Sequence, residues 1–178
     1  MVGGERVRAA DGGDVDAVVA LARAAYRSPV GWCSEADLVA GDRTDASAVA
    51  RLISGPDSLM LVVEGDRGRG LVACCALEDL GRGVARLGMF AVDPERQGGG
   101  IGRRLLDEAA RVAARGLRAE TIELVVLAPQ TALLAWYERL GFRRTGEARR
   151  FPADPVHARP QRDGLSFVVL MRELGRHR

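Results

Sequence analysis

The stretch from residue 83 to residue 128 constrains the fold of this chain more than any other. Two apolar runs, GVARLGMFAV (83–92) and TIELVVLA (121–128), read as buried strands. A glycine turn and a helical pattern ending near Gly116 lie between them. A helical crossover of that length joins parallel strands, because a hairpin cannot make the connection. The reading is therefore α/β (α+β) with a mixed sheet.

The other segments fit around this unit. RVRAA (6–10) alternates as a short first strand. Asp14 is placed to cap a helix whose Val15, Val18, Val19 and Ala22 share one face. A short helical piece is expected from Ser34, with Ser34 and Asp37 at capping-box spacing. DASAVARLI (45–53) reads as a helix. LMLVVEG (59–65) and GLVACCALED (70–79) read as strands split by the turn GDRGRG. TALLAWYERLGF carries a short helix ended by Gly141, and LSFVVLMREL (165–174) is the last strand. No repeat or linker divides the 178 residues, so one domain over 1–178 is expected, with a loose tail from about residue 175.

Composition narrows the classes of function. Aromatic residues are only 4%, so Ala, Val and Leu must build the core. The net charge of +2 contains no concentrated basic run of the kind that marks nucleic-acid or anionic-membrane binding. All 26 basic residues are arginine, which leaves no lysine to hold a phosphate. Cys33, Cys74 and Cys75 are odd in number and lack a C-x-x-C pair, against a disulfide framework or a structural zinc site. The first residues carry no apolar run like a signal peptide, and no stretch approaches 18 apolar residues. A soluble, cytoplasmic protein without a metal is expected.

Glycine fills four of the five positions from Gly98 to Gly102, just where a helix should begin. The first N–H groups of a helix lack partners within it and lie at the positive end of its dipole. A phosphate satisfies both, and glycine lets it approach the backbone closely. The Walker A motif fails for want of lysine. The dinucleotide pattern G-x-G-x-x-G fails because its last position is Arg103 or Leu105. The pattern Q/R-x-x-G-x-G/A is met by Gln97, Gly98, Gly99, Gly100, Ile101 and Gly102.

FAVDPERQGGGIGRRLL, followed some 35 residues later by LLAWYERLGF, resembles the GNAT superfamily of N-acetyltransferases. The resemblance covers most of the chain. It implies a mostly antiparallel sheet splayed between two strands and flanked by helices, with acetyl-CoA as cosubstrate. Main-chain groups of Phe90, Ala91 and Val92 would pair with the pantetheine arm as an added strand. Backbone N–H groups from Gln97 to Arg103 would hold the pyrophosphate. The side chains of Arg103 and Arg104 stand close by, although Arg104 reads more simply as solvated.

The resemblance also assigns the chemistry. Tyr137 would give a proton to the departing thiolate, its alternative role being a packing aromatic like Trp136. Glu78 is the first candidate to take the proton of the amine, with Glu64 second. A main-chain N–H near Phe90 would hold the oxyanion. Gln130 stands where the family often has a cofactor-contacting asparagine, which weakens that assignment. Trp32, Cys33 and Glu35 fall where the family builds its acceptor wall, so Trp32 and Glu35 are candidate substrate contacts. His157, in a breaker-rich loop, and His177, in the tail, carry little. Cys74 and Cys75 point to opposite faces of one strand and read as core filling, against a cysteine-linked intermediate. The acceptor would be a primary amine and the chain a monomer or homodimer. A non-catalytic acyl-CoA sensor with the same fold is the alternative.

Overall fold

The computed structural model describes residues 6–27, 34–42, 44–66, 70–151 and 158–175. Seven strands form one sheet: β1 (Arg6–Ala9), β3 (Ser58–Glu64), β4 (Leu71–Asp79), β5 (Val84–Val92), β6 (Thr121–Leu127), β9 (Ser166–Glu173) and β7 (Arg143–Arg150), in that spatial order. Two short strands, β2 (Val39–Ala40) and β8 (Arg159–Pro160), pair separately. The helices are α1 (Val15–Arg27), α2 (Ala46–Ser54), α3 (Ile101–Gly116) and α4 (Thr131–Arg139).

The βαβ unit predicted from the sequence is β5–α3–β6. It supplies the one parallel pairing of the large sheet, and every other neighbour is antiparallel. That pairing lasts three residues: Val84 with Thr121, Ala85 with Ile122, and Arg86 with Glu123. Both strands then continue unpaired to each other, so the sheet opens into a V.

Packing fills both faces. On one face Leu105, Leu106 and Ala109 of α3 and Leu134 of α4 bury against Cys75, Leu77, Leu87, Ile122 and Leu124. On the other, Val18, Ala22 and Tyr26 of α1 and Val49 of α2 cover Met60, Val62, Cys74 and Ala91. The adjacent cysteines thus enter opposite cores, as strand alternation requires. A third cluster joins Leu38 and Val39 to Leu127 and Leu165.

Two local expectations are corrected, and one strand is added. Asp11, not Asp14, is the N-cap: its side chain accepts from Gly13 N at 2.8 Å. Asp14 sits at the third position of that turn, where it accepts from Asp11 N and binds Arg8 at 2.6 and 2.9 Å. No helix starts at Ser34. Its hydroxyl accepts from Ala36 N at 3.2 Å, a tight local turn, and Val39 then enters the third cluster as part of β2. Strand β7, RRTGEARR, has no signal in the sequence, because it is an exposed edge with no apolar alternation.

A buried carboxylate stands at the point of the V. Glu123 is 5% exposed and accepts from both ends of the Arg149 guanidinium, at 2.7 and 2.9 Å. Arg149 lies on β7 and reaches across β9 to do so. Arg86 of β5 meets the same carboxylate at 3.5 Å. The Arg149 hydrogen bonds hold the acid below the ordinary glutamate range. An acid depressed in the folded state stabilises the fold fully above its unfolded value and loses that stabilisation as pH falls through its lower folded value. Glu123→Gln is therefore expected to cost about 1–3 kcal/mol at neutral pH. Urea melts over a pH series should show this gap constant above about pH 6 and shrinking below about pH 4.

Candidate active site

The inner edge of β5 is shaped by a bulge. Cys74 pairs with Ala91 and Ala76 with Gly88, so β5 holds one residue more than β4 over the same span. Met89 takes the strain with φ of 43°. Asp93 N donates to Val72 O, which fixes the ladder's phase: Ala91 also turns its amide and carbonyl toward β4. Of the three residues expected to face a pantetheine arm, Phe90 and Val92 therefore present main-chain groups to the gap, and Ala91 does not. The Phe90 carbonyl accepts from the Tyr26 hydroxyl at 2.8 Å, and the Val92 carbonyl from Gln97 Nε2 at 3.2 Å.

Beyond Val92 the chain enters the glycine turn. Gly98 and Gly100 have φ of 83° and 80°, a region that costs any other L-residue strain. Gly100 is the N-cap of α3 and no side chain caps it. The helical ladder begins with Arg104 N donating to Gly100 O. The N–H groups of Ile101, Gly102 and Arg103 precede that bond and sit at the positive end of a 16-residue helix. A Cβ on Gly102 would stand 3.5–3.7 Å from Val92, Phe90 and Trp136, so the helix start packs against the gap-lining side chains.

Gap and turn open into one cavity of about 840 Å³. The V supplies Leu87, Phe90, Val92, Leu124 and Val126; the turn supplies Arg96, Gln97, Gly98, Gly100, Ile101, Gly102 and Arg103. Gly99 is not among the lining residues. The volume and the lining suit an elongated acyl-CoA arm with its phosphates at the helix start.

Tyr137 of α4 lines this cavity and is 5% exposed. Trp136, Phe90 and Phe142 surround its ring, with centroids 4.8, 6.3 and 5.5 Å away. Gln130 also lines the cavity, and its amide donates to Ser34 O at 3.4 Å, tying the start of α4 to the segment after α1. Glu35 lines it as well, 7% exposed and 3.4 Å from Arg27 Nη1. Trp32, Cys33, His157 and His177 lie outside the described residues.

Glu78 does not line the cavity. Strand β4 runs antiparallel to β5, so Glu78 pairs with Arg86 at the closed end of the V. That is four residues, about 13 Å along the strand, from Phe90. Glu64 lies at the other end of β3, in an ion pair with Arg8 at 2.6 Å. The bulge at Met89 and the Tyr26 hydroxyl on Phe90 carry no sequence signal of their own, since both depend on strand register.

Comparison with known proteins bears directly on this arrangement. The family model described as "Acetyltransferase (GNAT) domain" matches residues 56–144, half of the chain. The chain belongs to the GNAT acetyltransferase family. N-alpha-acetyltransferase RimI of Mycobacterium tuberculosis is 39% identical over 79 residues, covering 39% of this chain and 48% of that protein. The match thus spans about half the length of that relative. The ribosomal-protein-S18-alanine N-acetyltransferase of Escherichia coli shares the fold with a TM-score of 0.71 at 19% identity, covering 98% of this chain and 96% of its own. Nourseothricin acetyltransferase superposes with a TM-score of 0.68 at 21% identity, covering 96% and 99%. The GNAT match ends at Arg144, so it contains the V, the glycine turn and Tyr137 but excludes α1 and Glu35. Among the described residues no helix is long and apolar enough to cross a membrane.

The glycines of the GNAT loop differ in what they tolerate. Gly98→Ala and Gly100→Ala are each expected to lose about 1–2 kcal/mol of stability from the left-handed conformation alone. Gly102→Ala, at helical dihedrals and with no contact below 3.5 Å, should be neutral or stabilising by up to about 1 kcal/mol. Urea denaturation of the three variants checks the ordering.

Proposed function

We propose that this chain transfers the acetyl group of acetyl-CoA to a primary amine, by direct attack within a ternary complex. The observation that carries the reading is one continuous cavity joining the opened sheet, an uncapped glycine-rich helix start and the Tyr137 side chain. Gap-facing groups of Phe90 and Val92 pair with the pantetheine arm, and the first N–H groups of α3 hold the pyrophosphate. Arg103 adds charge at the same end of the cavity.

The amine nitrogen attacks the thioester carbonyl, and a main-chain N–H near Phe90 steadies the oxyanion. The carbon–sulfur bond then breaks. The Tyr137 hydroxyl gives its proton to the departing sulfur, so coenzyme A leaves as a thiol, and the second proton of the attacking nitrogen returns to the tyrosinate through solvent as the neutral amide forms. The amine must lose a proton, because an alkylammonium of pKa near 10.4 has no lone pair to attack with. Glu35, expected from the sequence as a substrate contact, is the carboxylate among the described residues that lines the cavity, and it receives that proton directly or through water. Glu78 has no part in this scheme. Cys74 and Cys75 are fully buried, and burial pushes Cys74 up to about 12 and Cys75 upward as well, so neither is poised as a thiolate to carry the acetyl group. This supports transfer without a covalent intermediate.

A screen of primary amines with acetyl-CoA, read by thiol release, tests the proposal. Tyr137→Phe is expected to lower kcat about 10²-fold or more on any amine that reacts, while acetyl-CoA still raises Tm. Equal rates in the variant would remove Tyr137 from the mechanism. No thermal stabilisation by millimolar acetyl-CoA would remove the cosubstrate itself.

A further inference from the structure

Among the described residues four arginines line the cavity: Arg86, Arg96, Arg103 and Arg139. Three of them belong to the glycine turn, α3 and α4. Arg86 lies elsewhere. Its strand neighbours Ala85 and Leu87 bury in the core beneath α3, so alternation turns Arg86 to the opposite face, the one α1 covers. Tyr26, at the end of α1, and Glu35, just beyond it, line the cavity from that side. Arg86 is therefore remote from the phosphate end and faces the space left for the acceptor.

Its hydrogen-bonding state is unusual. Both Glu123 oxygens are engaged by Arg149, at 2.7 and 2.9 Å. Arg86 reaches only one of them, with Nε and Nη2 each at 3.5 Å. Among the described residues it makes no other hydrogen bond or ion pair. Glu78 stands opposite it in the β4–β5 register but is not within ion-pair distance. A guanidinium offers five donors in a planar fork suited to a carboxylate or phosphate, and this side chain remains 38% exposed.

We infer that Arg86 recognises a carboxylate on the amine acceptor, so the preferred substrate carries a carboxylate as well as its amine. The inference rests on the acetyl-transfer reading above. Arg86 lies about 13 Å along β5 from Phe90, so several bonds separate the anion from the reacting nitrogen. Two sources supply that chemistry: a free amino acid with a distant carboxylate, or a peptide whose amino terminus is followed by an acidic side chain. The Glu123–Arg149 pair acts beside it by occupying the carboxylate that Arg86 would otherwise claim in full.

The test uses ω-amino acids from glycine to 6-aminohexanoate, each beside its carboxamide, together with the dipeptides Ala-Asp and Ala-Asn. Two readouts are taken: kcat/KM with acetyl-CoA by thiol release, and Tm with each probe in the presence of coenzyme A. An acid-over-amide preference of about 10- to 100-fold is expected in one arm, with a matching difference in Tm. The arm that shows it identifies the source. Arg86→Gln should collapse the preference, and Arg86→Lys should keep part of it, since charge survives without the fork. Equal use and equal binding of acids and amides in both arms would overturn the inference. So would a preference that survives unchanged in Arg86→Gln. If no amine is acetylated at all, the transfer reading fails, while the Tm comparison still decides the role of Arg86.

Discussion

The fold turns on where two parallel strands stop pairing. Strands β5 and β6 share three residue pairs and then separate. Separation leaves main-chain donors and acceptors without strand partners, which a buried sheet does not tolerate for nothing. Here the Tyr26 hydroxyl and the Gln97 amide satisfy the inward carbonyls of Phe90 and Val92. At the last pair, Glu123 gathers arginines from both halves of the sheet. A buried carboxylate is tolerable only when it is paired and hydrogen-bonded, and this one is.

Everything near the cavity follows from that parting. Because β5 leads directly into the glycine turn, the opened edge and the start of α3 are brought to one mouth. Because α4 follows β6, its aromatic side chains close the same space from the other strand. The sheet is not merely a platform for the cavity, since the gap in the ladder is the cavity's inner wall. The two faces of the sheet divide the labour: α3 and α4 bring the glycine turn and Tyr137, and the end of α1 brings Tyr26 and the approach to Glu35.

Much of this was legible in the sequence. Apolar runs and breakers located α1, α2, α3, α4 and six strands of the large sheet, because their periodicity reports burial directly. The glycine turn was legible for a different reason: positive dihedrals at Gly98 and Gly100 demand glycine, and a helix start without a capping side chain leaves a visible gap in composition. Strand β7 was not legible, since an exposed edge buries little and four of its eight residues are arginine. The helix expected at Ser34 failed because capping-box spacing cannot distinguish a helix start from a local serine turn.

Carboxylates mark the boundary between the two kinds of knowledge. The sequence by itself determined the βαβ unit, the glycine-lined helix start and the tyrosine helix after it, all set by local spacing. It ranked Glu78 and then Glu64 as proton acceptors, gave Glu35 only as a substrate contact and assigned Glu123 nothing, because a carboxylate on or near a strand carries no mark of which way it will face. Strand direction and register decided: antiparallel pairing carried Glu78 to the closed end of the V, and Arg8 claimed Glu64. Register placed Glu123 within reach of Arg149, and the turn after α1 brought Glu35 to the cavity. Contacts between residues far apart in the chain leave no periodic trace, so only the tertiary structure could settle which acids meet the site.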